Sequence, residues 1–87
     1  MPRRMTVAEE SRRLFNECKH NVKKGVDVIP YTSGTTNKRT RMYGAANRYR
    51  EDAKIDFELG VITEQEYNIE IKAVRLFEKM LANYTVF

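Results

Sequence analysis

The chain has 87 residues, of which 41% are hydrophobic and 32% are charged, and its formal net charge is +4. A chain of this length buries only about 60 to 65% of its unfolded surface, so we expect a single small domain over residues 1–87 with one modest core. No apolar run approaches the roughly 20 residues of a membrane span, and the N-terminus lacks a signal peptide's apolar stretch, so we expect a cytoplasmic protein without membrane contact.

The first predicted element is a helix over about residues 7–24. The letters "TVAE" that begin at Thr6 form a capping box, in which Thr6 and Glu9 each accept a hydrogen bond from the other's backbone amide. A helical stripe of apolar residues follows, at Val7, Leu14, Phe15, Cys18 and Val22. Lys23 and Lys24 lie at the C-terminal end, where the helix dipole favours cations, so their placement requires no ligand.

This helix also carries the only cysteine and the only histidine of the chain, Cys18 and His20. One cysteine cannot form an intramolecular disulfide, and the two residues cannot complete a zinc site within one chain. Residues two positions apart on a helix point in different directions, which argues against a catalytic Cys/His pair. The serines and threonines have no other base, so we expect a non-enzymatic protein that needs no metal and no cofactor.

The second predicted element, residues 25–42, breaks the helical period. Its apolar residues have strand character, Pro30 excludes a central strand, and the letters "TSGTT" are typical of a turn. We expect an extended basic segment or a short irregular hairpin between the first and second helices. Connections of this length in compact domains are usually functional or mobile, so binding is expected here.

A helical hairpin over about residues 43–83 follows, and its first helix is expected to run from about Tyr43 to Leu59 and to stop at Gly60. Apolar residues at spacings of three and four mark its buried face: Met42, Ala46, Tyr49, Ala53 and Phe57. A second capping box at Thr63 and Glu66 starts the third helix. The sequence therefore predicts a mainly α, three-helix domain with an antiparallel hairpin and a β-like or extended excursion between its first two helices.

The third helix has a wide apolar arc made of two neighbouring stripes. Their residues are Tyr67, Ile71, Val74, Phe77 and Leu81 on one stripe and Ile69, Ala73, Leu76 and Met80 on the other. Two interpretations stay open: the helix is central and is packed by both other helices, or part of its arc is a surface for homo-oligomerisation.

Five cations surround the expected start of the second helix: Lys38, Arg39, Arg41, Arg48 and Arg50. The positive end of a helix dipole disfavours cations, each by a few tenths of a kcal/mol up to about 1 kcal/mol. A bound anion would reverse that sign, because free backbone amides and arginines would share one negative ligand. The sequence therefore predicts a phosphate or another anion at this helix end.

Residues 56–77 resemble the short helical hairpin of SHOCT-type C-terminal domains. The residues that fit the pattern are Leu59, Gly60, Val61, Ile62, Thr63, Glu64, Glu66, Tyr67 and Lys72. The third helix departs from it by continuing well past the usual short repeat. The resemblance implies an interaction or oligomerisation hairpin and transfers no active site.

The charges are divided along the chain. Residues 1–50 hold twelve Lys and Arg against four Asp and Glu, and residues 51–87 hold four against eight, which gives net charges of +8 and −4. A basic pole is a candidate footprint for nucleic acid, either DNA or RNA. The expected contact residues are Lys23, Lys24, Lys38, Arg39, Arg41, Arg48 and Arg50 for phosphates, with Tyr43 for stacking.

The alternative function is that of a protein-binding inhibitor or adaptor, or of a small assembly subunit. Short chains of this kind resemble accessory proteins of phages and mobile elements, including anti-CRISPR proteins. In this interpretation the basic segment meets an acidic face of the partner or occupies the nucleic-acid groove of a larger enzyme, and the third helix supplies apolar contact.

Overall fold

Three helices make up most of the protein, which is described here over residues 4–87 by a computed structural model. In chain order the elements are α1 (Val7–Lys24), β1 (Ser33–Gly34), α2 (Thr36–Glu58), α3 (Glu64–Ala82) and β2 (Thr85–Val86). The helices α2 and α3 pack closely as an antiparallel hairpin, and α1 lies across both. The predicted fold class is therefore confirmed.

The helix α1 has the predicted bounds because both of its ends are capped as expected. At the start, the Thr6 hydroxyl accepts from the Glu9 amide at 3.1 Å, and the Glu9 carboxylate accepts from the Thr6 amide at 3.2 Å. At the end, Gly25 takes the left-handed conformation with φ of 71°, which glycine adopts without steric cost. Leu14, Phe15 and Cys18 are buried, as their spacing predicts.

The helix α2 begins at Thr36, so the prediction of a start near Tyr43 was wrong by two turns. Thr35 is its N-cap, and the Thr35 hydroxyl accepts from the Lys38 amide at 3.1 Å. The sequence did not indicate this start for two reasons. Thr35 lies in a turn-like stretch, and the apolar stripe of the helix begins only at Met42. Residues 36–42, predicted to be extended, are therefore helical.

A strand-like stretch between α1 and α2 is present, as predicted, but its pairing partner comes from the far end of the chain. Ser33 and Gly34 of β1 pair in parallel with Thr85 and Val86 of β2. The Tyr84 hydroxyl also donates to the Thr35 carbonyl at 2.9 Å. The C-terminal residues thus fix the chain just before α2 begins.

The core lies between the three helices, with α3 in the middle. The Phe15 ring of α1 stacks on the Tyr49 ring of α2 with 4.4 Å between centroids, and the edges of both meet Phe77 of α3 at 6.2 Å and 6.0 Å. Five further α3 residues are buried: Ala73, Val74, Leu76, Met80 and Leu81. Both α1 and α2 pack on α3 and bury the C-terminal part of its apolar arc, as predicted for a central helix. Tyr67, Ile69 and Ile71 are only partly buried, and homo-oligomerisation through α3 stays a prediction.

The turn between α2 and α3 has the predicted glycine and capping box. Gly60 has a φ of 74°, and the Thr63 hydroxyl and Glu66 carboxylate exchange hydrogen bonds with each other's amides at 3.1 and 3.0 Å. Phe57, expected in the core, is 38% exposed and stacks on Tyr67 with 4.8 Å between ring centroids. Within residues 4–87, no helix has the length and apolar character needed to cross a membrane.

Candidate phosphate-binding cleft

The eight residues predicted to bind a polyanion do not form one patch. Three of the cations are held by contacts within the chain, two lysines lie at a distant end of the molecule, and two arginines face solvent beside a cleft. The held cations are Lys38, Arg39 and Arg50; the distant lysines are Lys23 and Lys24; the arginines of the cleft are Arg41 and Arg48.

Lys38 is paired with α1. Its ammonium group lies 2.8 Å from the Glu10 carboxylate and donates to the Ser33 carbonyl at 3.0 Å. The Thr32 hydroxyl donates to the same carboxylate at 3.3 Å. Because these side chains are largely buried, Lys38 ties α1, β1 and the start of α2 together, and its charge is compensated inside the fold.

Arg39 caps the neighbouring helix. Its Nε donates to the Leu81 carbonyl at 3.0 Å, at the C-terminal end of α3, where the helix dipole favours a cation. Its guanidinium also lies 5.6 Å from the Tyr43 ring centroid. The Tyr43 ring is only partly exposed and packs against the core, so the residue predicted to stack on a base is already in contact on two sides.

Arg50 forms an ion pair with α3 and lies far from the start of α2. Its guanidinium is 2.6 Å from the Glu78 carboxylate and also donates to the Asn47 side chain at 3.0 Å. With α2 starting at Thr36, both Arg48 and Arg50 lie more than three turns inside the helix. The prediction that all five cations surround a helix start is therefore wrong.

Lys23 and Lys24 lie in the last turn of α1, whereas Arg41 and Arg48 lie beside its first turn. The 16 residue steps from Val7 to Lys23 correspond to about 24 Å of helix. These two lysines are thus not brought together with the α2 arginines.

Arg41 and Arg48 are two helical turns apart on one face of α2 and are both exposed. Among residues 4–87 neither has an ion pair or a hydrogen bond. They line a solvent-open cleft of about 510 Å³ between α2 and the first turn of α1. The α1 side is formed by Thr6, Val7, Ala8 and Ser11, and the α2 side by Arg41, Gly44, Ala45 and Arg48.

The first turn of α1 forms one wall of this cleft and has two backbone amides without an acceptor among residues 4–87. The capping box engages the amides of Thr6 and Glu9, whereas the amides of Val7 and Ala8 have no acceptor within residues 4–87. Free amides at a helix N-terminus, together with the positive end of the dipole, favour an anion. The Glu9 carboxylate lies at the same helix end, where it accepts from the Thr6 amide.

Two residues of the cleft were not singled out from the sequence. Ser11 is fully buried, and its hydroxyl has no hydrogen-bond partner among residues 4–87; leaving such a group unpaired costs about 1 to 3 kcal/mol. Gly44 lies inside α2, where glycine costs about 0.5 to 1 kcal/mol relative to alanine. Two features of the sequence could have indicated them: a serine on the apolar stripe of α1 and a glycine within the helical pattern of α2.

A second open cleft, of about 310 Å³, lies between the end of α1 and the outer face of α3. It is also basic, with Lys72, Arg75 and Lys79 on its wall, but Asp27 contributes a negative charge. The one buried side-chain polar atom without a partner in the described part of the chain is the Ser11 hydroxyl, which belongs to the first cleft. The second cleft therefore serves as a comparison surface of similar charge.

The remaining chemically reactive residue is enclosed. Burial raises the pKa of the Cys18 thiol from 9.0 to about 12, and the nearby Glu17 charge adds to this shift. The residue is therefore an uncharged thiol at neutral pH and packs as a small apolar side chain. Within residues 4–87, no group of three or more His, Cys, Asp or Glu side chains is placed to hold a metal ion.

Comparisons with protein-family models, with curated proteins and with solved structures found no match to this chain. The resemblance of residues 56–77 to SHOCT-type hairpins stays a prediction.

Proposed function

We propose that the protein is a small, non-enzymatic accessory or regulatory protein that binds nucleic acid by contacting phosphates. The observation that carries this proposal is the state of Arg41 and Arg48. Both are exposed, lack a partner among residues 4–87, and lie beside the positive end of α1. Arginine donors arranged in this way match phosphate oxygens, and neutralising phosphates releases counterions from the nucleic acid.

The contact surface is smaller than the sequence pattern suggests, which sets the expected strength and selectivity of binding. Two free arginines neutralise about two negative charges of phosphate, so we expect weak affinity with a modest salt dependence. Arginine contacts to phosphate carry no sequence information, so we expect contacts to the sugar-phosphate backbone to dominate. Among the five tyrosines, Tyr31 is the exposed one, with 70% of its surface accessible, and it is the better candidate for stacking on a base.

The test is a titration of the purified protein into labelled single-stranded DNA, single-stranded RNA and duplex DNA, followed by fluorescence anisotropy. We expect a dissociation constant of about 100 μM or tighter at low salt, with a slope of log K against log salt between about −1 and −2. Binding that is weaker than this at the lowest salt, or that does not change with salt, would show that the proposal is wrong.

A second candidate, a protein-binding inhibitor or adaptor, is favoured by the tip of the helical hairpin. Leu59 and Val61 are 72% and 67% exposed there, and Ile55 nearby is 49% exposed. Acidic residues surround this apolar tip, which gives it the mixed character of a protein interface. If this function is correct, the protein forms a stoichiometric complex with one nucleic-acid-binding protein, measured by light scattering after gel filtration. That complex would be lost in Leu59→Ser/Val61→Ser and kept in Arg41→Glu/Arg48→Glu.

A further inference from the structure

We infer that the cleft between α1 and α2 is a pocket for one phosphomonoester group, and that its preferred ligand is a terminal phosphate of a nucleic acid strand. This inference rests on the proposed function for the nature of the ligand, but its chemistry comes from the cleft itself. The residues of the cleft carry three kinds of donor: two exposed arginine guanidinium groups, two backbone amides of α1 that have no acceptor among residues 4–87, and the buried hydroxyl of Ser11.

The donors and charges match a phosphate dianion. Arg41 and Arg48 supply two positive charges, which equal the charge of a phosphomonoester above its second pKa of about 6. A monoester has three terminal oxygens, whereas an internal phosphodiester has two and carries a single charge. The guanidinium forks and the amides of Val7 and Ala8 are enough to bind all three oxygens.

Ser11 is the part of the site that a solvated basic surface does not explain. Its hydroxyl is closed off from solvent and has no partner in the described chain, so it contributes nothing to the free fold by hydrogen bonding. Because Ser11 is fully buried, a phosphate oxygen accepts from this hydroxyl only if the side chains that cover it move aside when the ligand enters the cleft. Alanine would fill most of the same volume and would favour the helix more, so packing alone does not require a serine here.

Gly44 points to the same conclusion from the opposite wall. A Cβ atom built at this position meets no other atom within 4 Å, so the fold has room for alanine. The glycine instead leaves the α2 wall open between Arg41 and Ala45, where an approaching phosphate comes close to the backbone. Ser11 and Gly44 therefore both lower the stability of the free protein relative to alanine. Gly44 widens the cleft, and Ser11 adds a polar group to it.

The negative charges of the first turn of α1 do not occupy the cleft walls. The Glu9 carboxylate accepts from the Thr6 amide, and Glu10 is paired with Lys38. Neither lines the cleft. Their charges weaken the potential at this helix end, so the two arginines are needed to make the site attractive to an anion.

The first experiment compares oligonucleotides of one sequence that carry a 5′-phosphate, a 3′-phosphate or only hydroxyl ends, in the anisotropy assay at constant salt. We expect at least one phosphorylated form to bind about tenfold tighter than the hydroxyl form. In parallel, inorganic phosphate is titrated into ¹⁵N-labelled protein, and we expect the amide signals of Val7, Ala8 and Ser11 to shift first. Equal affinity for all three ends, together with no shift at these amides, would overturn the inference.

The second experiment uses Ser11→Ala and Gly44→Ala, with Lys72→Glu/Arg75→Glu in the second cleft as the control. We expect each alanine variant to lower phosphate affinity about fivefold or more while its thermal midpoint rises, and the control to keep wild-type phosphate affinity. A purely structural role for either residue would instead leave phosphate affinity unchanged.

If strands bind regardless of their ends and the alanine variants are unaffected, the inference fails and the proposed function stands. If phosphate binds in this cleft but no oligonucleotide does, the proposed function fails and the pocket has another phosphomonoester as its ligand.

Discussion

At the scale of single residues, what each cation does is decided by the group that faces it. Arg39 and Arg41 are two positions apart, but one donates to the Leu81 carbonyl and the other faces solvent. Lys38 is bound by a carboxylate of α1, and Arg50 by one of α3. A substitution that removes Arg39 and Arg41 together would therefore mix the loss of an internal contact with the loss of a ligand contact.

We expect Arg39→Ala to lower the free energy of unfolding by about 1 to 2 kcal/mol, because it removes a charge-assisted hydrogen bond to the end of α3. Arg41→Ala is the matched control on the same helix, and it should change stability by less than about 0.5 kcal/mol. Urea denaturation followed by circular dichroism measures both. Equal losses in the two variants would mean that the contact between Arg39 and Leu81 does not stabilise the fold.

At the scale of the elements, the start of α2 decides how the basic stretch is presented. With the first turn at Thr36, Lys38 and Arg39 enter that turn, and their unfavourable interaction with the helix dipole is offset by Glu10 and by the end of α3. An external anion is therefore not needed to explain these two cations. A ligand is instead expected further along α2, at Arg41 and Arg48, which have no partner among residues 4–87.

Thr35 is predicted to set that start through its hydroxyl. Thr35→Ala removes the acceptor for the Lys38 amide and should lower the free energy of unfolding by about 1 kcal/mol. Thr36→Ala is the control, since Thr36 lies inside the first turn and its side chain makes no capping bond among residues 4–87. If chemical denaturation gives both variants the same stability, the N-cap of α2 is not Thr35.

The three helices were predictable because their signals are local. Two capping boxes, a glycine at each of two helix ends, and apolar spacings of three and four fixed α1, α3 and most of α2. The pairing of β1 with β2 was not predictable, because two-residue strands carry no pattern and their partners lie some fifty positions apart. The cleft was not predictable either, because Ser11 and Gly44 are far apart in the sequence and line one cleft only after α1 packs against α2.

At the scale of the whole molecule, the charge division along the chain is seen most clearly along α2. The helix α2 is about 34 Å long, close to the 40 Å length of the molecule, with its arginines in the N-terminal part and Asp52, Asp56 and Glu58 towards the other end. This order opposes the helix dipole at both ends. The part of α2 that carries the arginines is therefore the part of this helix that a polyanion attracts.

The most direct test of the central claim compares two charge reversals of equal size. Arg41→Glu/Arg48→Glu changes the cleft, and Lys72→Glu/Arg75→Glu changes the second basic surface by the same net charge. In the oligonucleotide titration at low salt, we expect the first variant to lose at least about tenfold in affinity, because two phosphate contacts are lost, and the second to lose less than about threefold. Both should keep the helical circular dichroism signal. Equal losses in the two variants would contradict the account, because binding would then follow total charge and not the cleft.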